Sequence, residues 1–144
     1  DLRGMGETAP GKPAATGANY FGIDHKEAFL SLHLARPLLG QRVLDVLSIL
    51  NASPNKSGRG YHVYSVGPVG PIALHAAAID DRIGQITLDR PIVPWSNVVQ
   101  TALSRNQLAN TVPGVLADYD LTDLATAIAP RRIVFGDAIE GAGK

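Results

Sequence analysis

The stretch YHVYSVGPVGPIALHAAAID, residues 61–80, constrains the chain more than any other. Its first six residues are β-branched, aromatic or small, which predicts a strand from Tyr61 to Val66. A glycine-proline turn follows at once, and beyond it an alanine-rich run predicts a helix from Pro71 to about Ile79. A strand that bends straight into a helix is half of a crossover unit, so further strands should follow in parallel. Two candidates are present. IGQITL, residues 83–88, and RRIVFG, residues 131–136, are short and apolar, and between them LTDLATAIA places Leu121, Leu124, Ala125 and Ile128 on one helical side. Short apolar strands alternating with helices predict an α/β fold of three layers, α/β/α, with a mainly parallel sheet covered on both faces.

The upstream third reads differently. Residues 1–22, DLRGMGETAPGKPAATGANYFG, show no helical or strand period and are expected to form a loop. Residues 24–52 predict a pair of helices. Asp24 and Glu27 have the spacing of a capping box, and Pro37 disfavours helical geometry at Arg36, so the first helix should stop there. In the second helix Leu39, Val43, Val46, Leu47 and Leu50 share one face, as expected of a helix lying flat on a sheet. Residues 61–144 then supply strand, helix, strand, helix, strand, with an irregular stretch around Pro91, Pro94, Trp95 and Pro113. The length of 144 residues suits one domain.

Composition excludes several functions. Thirteen basic residues balance thirteen acidic ones without a long block of either sign, which leaves no electrostatic footprint for nucleic acid or for an anionic membrane. No apolar run is long enough to span a bilayer, so a soluble chain is expected. There are no cysteines. Disulfides, a thiolate nucleophile and thiolate metal ligands are therefore absent, and the compartment stays open. The four histidines, His25, His33, His62 and His75, lack the spacing of a helical metal pair, so no metal site is expected.

Two chemistries fit the turn after the first strand. Ser65, Gly67 and Gly70 stand at the three spacings of the dinucleotide fingerprint, with serine in the first place, and Asp89 closes the next strand where an acidic side chain would hold a ribose hydroxyl. GPVG followed by Ile72 and Ala73 also resembles the matching turn of zinc-type alcohol dehydrogenases. The other reading is a nucleophile elbow, a sharp strand-to-helix bend flanked by small residues. DLRGMGET resembles the loop after the fourth strand of α/β-hydrolases, and LLGQRVLDVLSIL resembles the helix that comes next. HAAAIDDRI resembles the end of the elbow helix and the start of the following strand. YDLTDLATAIAPRRIVFGDAIEGAGK resembles the segment leading to the acid-bearing strand. The four segments keep the family's order and cover most of the chain. The sequence is thus similar to the acetylxylan esterase-like and dienelactone hydrolase-like branch of the α/β-hydrolase superfamily, and resembles part of that fold.

That resemblance implies carboxylic-ester hydrolysis of a small-molecule substrate, with no cofactor. It also implies that this chain lacks the chemistry. The elbow pattern aligned on residues 65–73 puts Gly67 where the serine belongs, and glycine has no group to attack an acyl carbon. Ser65 lies two residues early, on the strand. The acid position after the third strand falls on Glu140, with Asp137 as second candidate. The family's oxyanion loop would precede Asp1 and its histidine would follow Lys144, so the sequence is read as a C-terminal fragment of the fold. Outside the elbow, Arg3 is expected to anchor its loop through backbone carbonyls and Trp95 to line a pocket. Among Asp118, Asp120 and Asp123, helix capping explains Asp120 more economically than a metal does.

In the hydrolase strand order, one side of the Tyr61–Val66 strand would be unpaired in this chain, leaving a row of free backbone groups. Self-association is the expected outcome, read as a size above that of one chain in static light scattering; a stable, monodisperse monomer would contradict it.

Overall fold

In the computed structural model, residues 1–9, 22, 24–53, 58–91 and 94–137 are described. Five helices and three strands are present among them: α1 (His25–His33), α2 (Leu38–Ala52), β1 (Tyr61–Val66), α3 (Gly70–Ile79), β2 (Ile83–Asp89), α4 (Trp95–Gln100), α5 (Leu121–Ile128) and β3 (Arg132–Phe135). Four single-turn 3-10 segments connect them. The strands form one parallel sheet in the order β1-β2-β3, with Val63 opposite Ile86 and Ile86 opposite Ile133. The fold is α/β, as the alternation of elements predicts. No helix is long and apolar enough to cross a membrane.

The core is built around α3. Residues 70–77 are all buried, so this helix has no solvent stripe and must be covered on every side. The sheet lies beneath it and α2 and α5 pack alongside it. Ile72, Ile83, Ile86, Leu88 and Ile128 are sealed from solvent in this cluster, and full burial of an aliphatic side chain of that size contributes about 1.5–3 kcal/mol. A smaller cluster of Ala28, Leu38 and Ala109 joins α1 to the loop after α4.

Four expectations need correction. Leu39, Val43 and Leu50 are buried, and Val46 and Leu47 pack against the same core, but they meet α3 rather than the sheet. The reason is that α3 already occupies the sheet face. Asp24 makes no side-chain cap for α1; its carboxylate is held instead by Arg42 at 2.7 Å, an ion pair with a guanidinium 3% exposed. The third layer is not seen among the described residues: His62, Tyr64 and Val66 on the other face of β1 are exposed, Tyr64 by 61%. That face is wired sideways, His62 to Thr87 Oγ1 at 2.8 Å and Tyr64 Oη donating to Asp89 at 3.1 Å. Finally, the irregular stretch after β2 is interrupted by one short helix at Trp95, α4.

Asp120 explains both why α4 forms and why it is hard to read locally. Its carboxylate accepts hydrogen bonds from the backbone N–H groups of Trp95 (2.8 Å) and Ser96 (3.1 Å) at the start of α4, and of Leu121 (2.7 Å) at the start of α5. Asp123 completes a capping box by accepting from Asp120 N at 2.8 Å. One side chain thus satisfies orphan donors of two helices. Burial alone would push this carboxyl up, and the bonds from Ser96, Leu121 and Trp95 outweigh that, leaving it below its ordinary 3.8.

Asp120→Ala should therefore cost about 2 kcal/mol, one cap's worth per helix, measured by urea unfolding. Because the folded carboxyl has the lower pKa, its stabilisation is present above the ordinary value and lost as pH falls through the folded one. The acid limb of the stability profile should flatten in the variant, and equal acid limbs would show that Asp120 caps neither helix.

Candidate functional site

The bend between β1 and α3 sits at the C-terminal end of the sheet, where open parallel sheets bind ligands. Gly67 opens it with φ +62°, the left-handed region that L side chains enter at a cost, and a Cβ built there would meet nothing within 4 Å. The backbone therefore holds the bend while the space above it stays open. Pro68 follows and has no N–H; neither does Pro71 in the first turn of α3. Gly70 is buried, its Cα side facing Pro91 after β2. The Pro68 carbonyl accepts from Asn110 Nδ2 at 2.9 Å, and Asn110 itself is 2% exposed.

That asparagine was not singled out by its sequence, because nothing in RNQLAN distinguishes it from a surface amide. Its burial comes from the short turn Leu108–Asn110 docking on α1 and α2. It separates two cavities. One, of about 510 Å³, runs from Pro68 and Val69 past Asn110 to Arg42 and Asp24. The other, of about 430 Å³, lies between α4 and the loop after it, and Trp95 lines it. Trp95 itself is buried, with its ring 5.6 Å from that of His75 and 6.3 Å from that of Tyr119.

The other sequence candidates are scattered. Ser65 is buried on β1, and its hydroxyl has no hydrogen-bond partner, so no base activates it. Asp89 ends β2 opposite Val66, beside the bend, with its carboxylate taken up by Tyr64 and lying 3.7 Å from Arg90. Asp137 is exposed in the loop after β3, with β2 between it and β1. Glu140 lies outside the described residues. Arg3 does anchor its loop, but through the Asp45 carboxylate, which it grips by Nε at 2.8 Å as well as Nη2, and through Gln41 at 2.8 Å. It is Arg42 that reaches a backbone carbonyl, that of Arg3, at 3.1 Å.

Three of the histidines are engaged away from Gly67. His33 bonds the Phe29 carbonyl within α1, and His62 faces outward on β1. His75 is buried in α3 with both nitrogens engaged: Nδ1–H donates to Pro71 O at 2.6 Å, which fixes the tautomer and leaves Nε2 to accept from Tyr119 Oη at 2.9 Å. Burial holds this imidazole below its ordinary 6.5, only partly offset by the bond to Pro71. Among the described residues no cluster of His, Asp and Glu could hold a metal ion.

No family model matches the chain, and neither a curated protein nor a solved structure matches it.

His75 gives this region a pH dependence. With the folded pKa depressed, the neutral ring stabilises the fold above pH 6.5, and that contribution is lost as pH falls through the folded value. Unfolding curves from about pH 8 to about pH 5 should show falling stability that His75→Leu removes. A wild-type profile no steeper than the variant's would mean the ring is solvated.

Proposed function

We propose that this chain is a non-catalytic relative of the carboxylic (acetyl) ester hydrolases, an α/β-hydrolase-type scaffold that keeps a binding role. The observation that carries the reading is the dipeptide Gly67-Pro68 at the bend. A nucleophile elbow needs a residue in a strained left-handed conformation between a parallel strand and a buried helix, with room above it. Gly67 meets each of those conditions: φ +62°, open space for a Cβ, β1 before it and α3 after it. In the resemblance one strand leads into the elbow and others follow it, which the parallel order β1-β2-β3 suits; the acid position falls on Glu140, with Asp137 after β3 as second candidate.

The chemistry is missing twice. Glycine supplies no hydroxyl, so no acyl-enzyme can form. In the elbow scheme the backbone N–H of the residue after the nucleophile stabilises the oxyanion, and here that residue is Pro68, which has none. Loss of one such donor costs a factor of about 10²–10³ in turnover elsewhere. A small-molecule ester is the ligand class that the resemblance suggests for the intact site.

A second reading, an NAD(P)-binding module using Gly67, Gly70 and Asp89, is favoured by the position of Asp89 beside the bend. Against it, a pyrophosphate is held by N–H groups of such a turn, and Pro68 and Pro71 remove two of them. Asp89 already accepts from Tyr64.

Hydrolysis of nitrophenyl acetate by the wild-type chain should equal that of a heat-denatured control. Gly67→Ser should fold at a cost of about 1–2 kcal/mol for a side chain in the left-handed region, and remain at background. Turnover that disappears in Ser65→Ala would overturn the reading. Millimolar NAD should leave the melting temperature unchanged, since only a ligand of the folded state raises it; a rise would favour the dinucleotide module.

A further inference from the structure

The cavity beside α4 has a chemical character of its own. At about 430 Å³ it falls within the range of small-molecule sites. Its long sides are apolar: Trp95, Val98 and Val99 from α4, and Val112, Val115 and Leu116 from the facing loop. Trp95 is a fixed wall, because its ring packs on His75 and Tyr119 and its backbone N–H is held by Asp120. None of the lining residues carries an ionisable side chain.

The polar residues gather at one end, in the segment 107–111. Each has committed one donor internally. Gln107 Nε2 donates to Arg105 O at 3.0 Å, Asn110 Nδ2 to Pro68 O at 2.9 Å and Thr111 Oγ1 to Gln107 O at 3.3 Å. Each amide keeps a second N–H, and one acceptor stands out. Gln107 Oε1 is buried without a hydrogen-bond partner, an unfavourable state that a turn of this lining side chain toward a ligand O–H or N–H would relieve. A carboxylate would find no counter-charge, and burying it there unpaired is costly.

We propose that this cavity binds a small neutral amphiphile, an apolar chain or ring lying against Trp95 and the valines with one hydroxyl or N–H donor at the segment 107–111. The site touches the bend through Asn110, whose Nδ2 donates to Pro68 O, but it does not depend on the ancestry of that bend.

Trp95 is the chain's single tryptophan, so its emission reports occupancy directly. Titration with octanol should change that emission saturably, while octanoate, which differs in charge and lacks the donor, should bind at least 10-fold more weakly, a ratio in keeping with an unpaired buried charge. Val98→Phe should fill the cavity and weaken octanol at least 10-fold. Val99 is 73% exposed, so Val99→Lys should fold and, by supplying a cation at the rim, shift the preference toward octanoate. Four results would overturn the proposal: no saturable change with octanol, equal binding of octanoate, affinity unmoved by Val98→Phe, or preference unmoved by Val99→Lys. So would emission that shifts with protein concentration alone, which would assign the cavity to a second copy of the chain.

Discussion

A helix that is apolar around its whole circumference cannot exist at a surface, and α3 is such a helix. From Gly70 to Ala77 no residue faces water, so the sheet on one side and α2 and α5 on the others are conditions for its existence rather than decorations of it. The small residues Ala73, Ala76 and Ala77 let those neighbours approach closely, and the five sealed aliphatic side chains around them supply the favourable burial. The single polar intruder, His75, is tolerated because the Pro71 carbonyl and the Tyr119 hydroxyl take up both of its nitrogens. Everything that positions the bend at Gly67 follows from the need to seat this one helix.

The parts of the fold that are decided locally were legible in the sequence. The strand Tyr61–Val66 is found at its expected bounds, α3 and β2 differ by one residue at an end, and Pro37 separates α1 from α2 as its geometry requires. What was not legible depends on partners far along the chain. Helix α4 has no capping side chain of its own, since its cap is the carboxylate of Asp120, about two dozen residues on. The apolar stripe of α2 was visible, but a stripe does not say whether it will meet a sheet or another helix. Asp24 and Glu27 had the spacing of a capping box, yet the buried guanidinium of Arg42 competes for Asp24 and wins, because an unpaired buried charge is far costlier than an uncapped N–H.

The candidate site shows the same division. Gly67, Asp89 and Asp137 stand at strand ends where the alternating pattern places them. Trp95 lines a pocket as expected, but the role of Asn110 could not be read in advance, because it arises where a turn from one part of the chain docks on helices from another. A buried amide that holds a carbonyl at a bend leaves no trace in spacing or composition.

If the bend is a former elbow, as proposed, its dipeptide also constrains what mutation can do there. A serine arriving at position 67 alone would bear the strain of the left-handed backbone while gaining no donor, since proline stands next to it. A change of Pro68 alone would restore an N–H with nothing to serve. On the proposed reading, neither change alone would rebuild an ester-cleaving centre. On that reading the bend carries two independent obstacles, a missing hydroxyl at Gly67 and a missing N–H at Pro68.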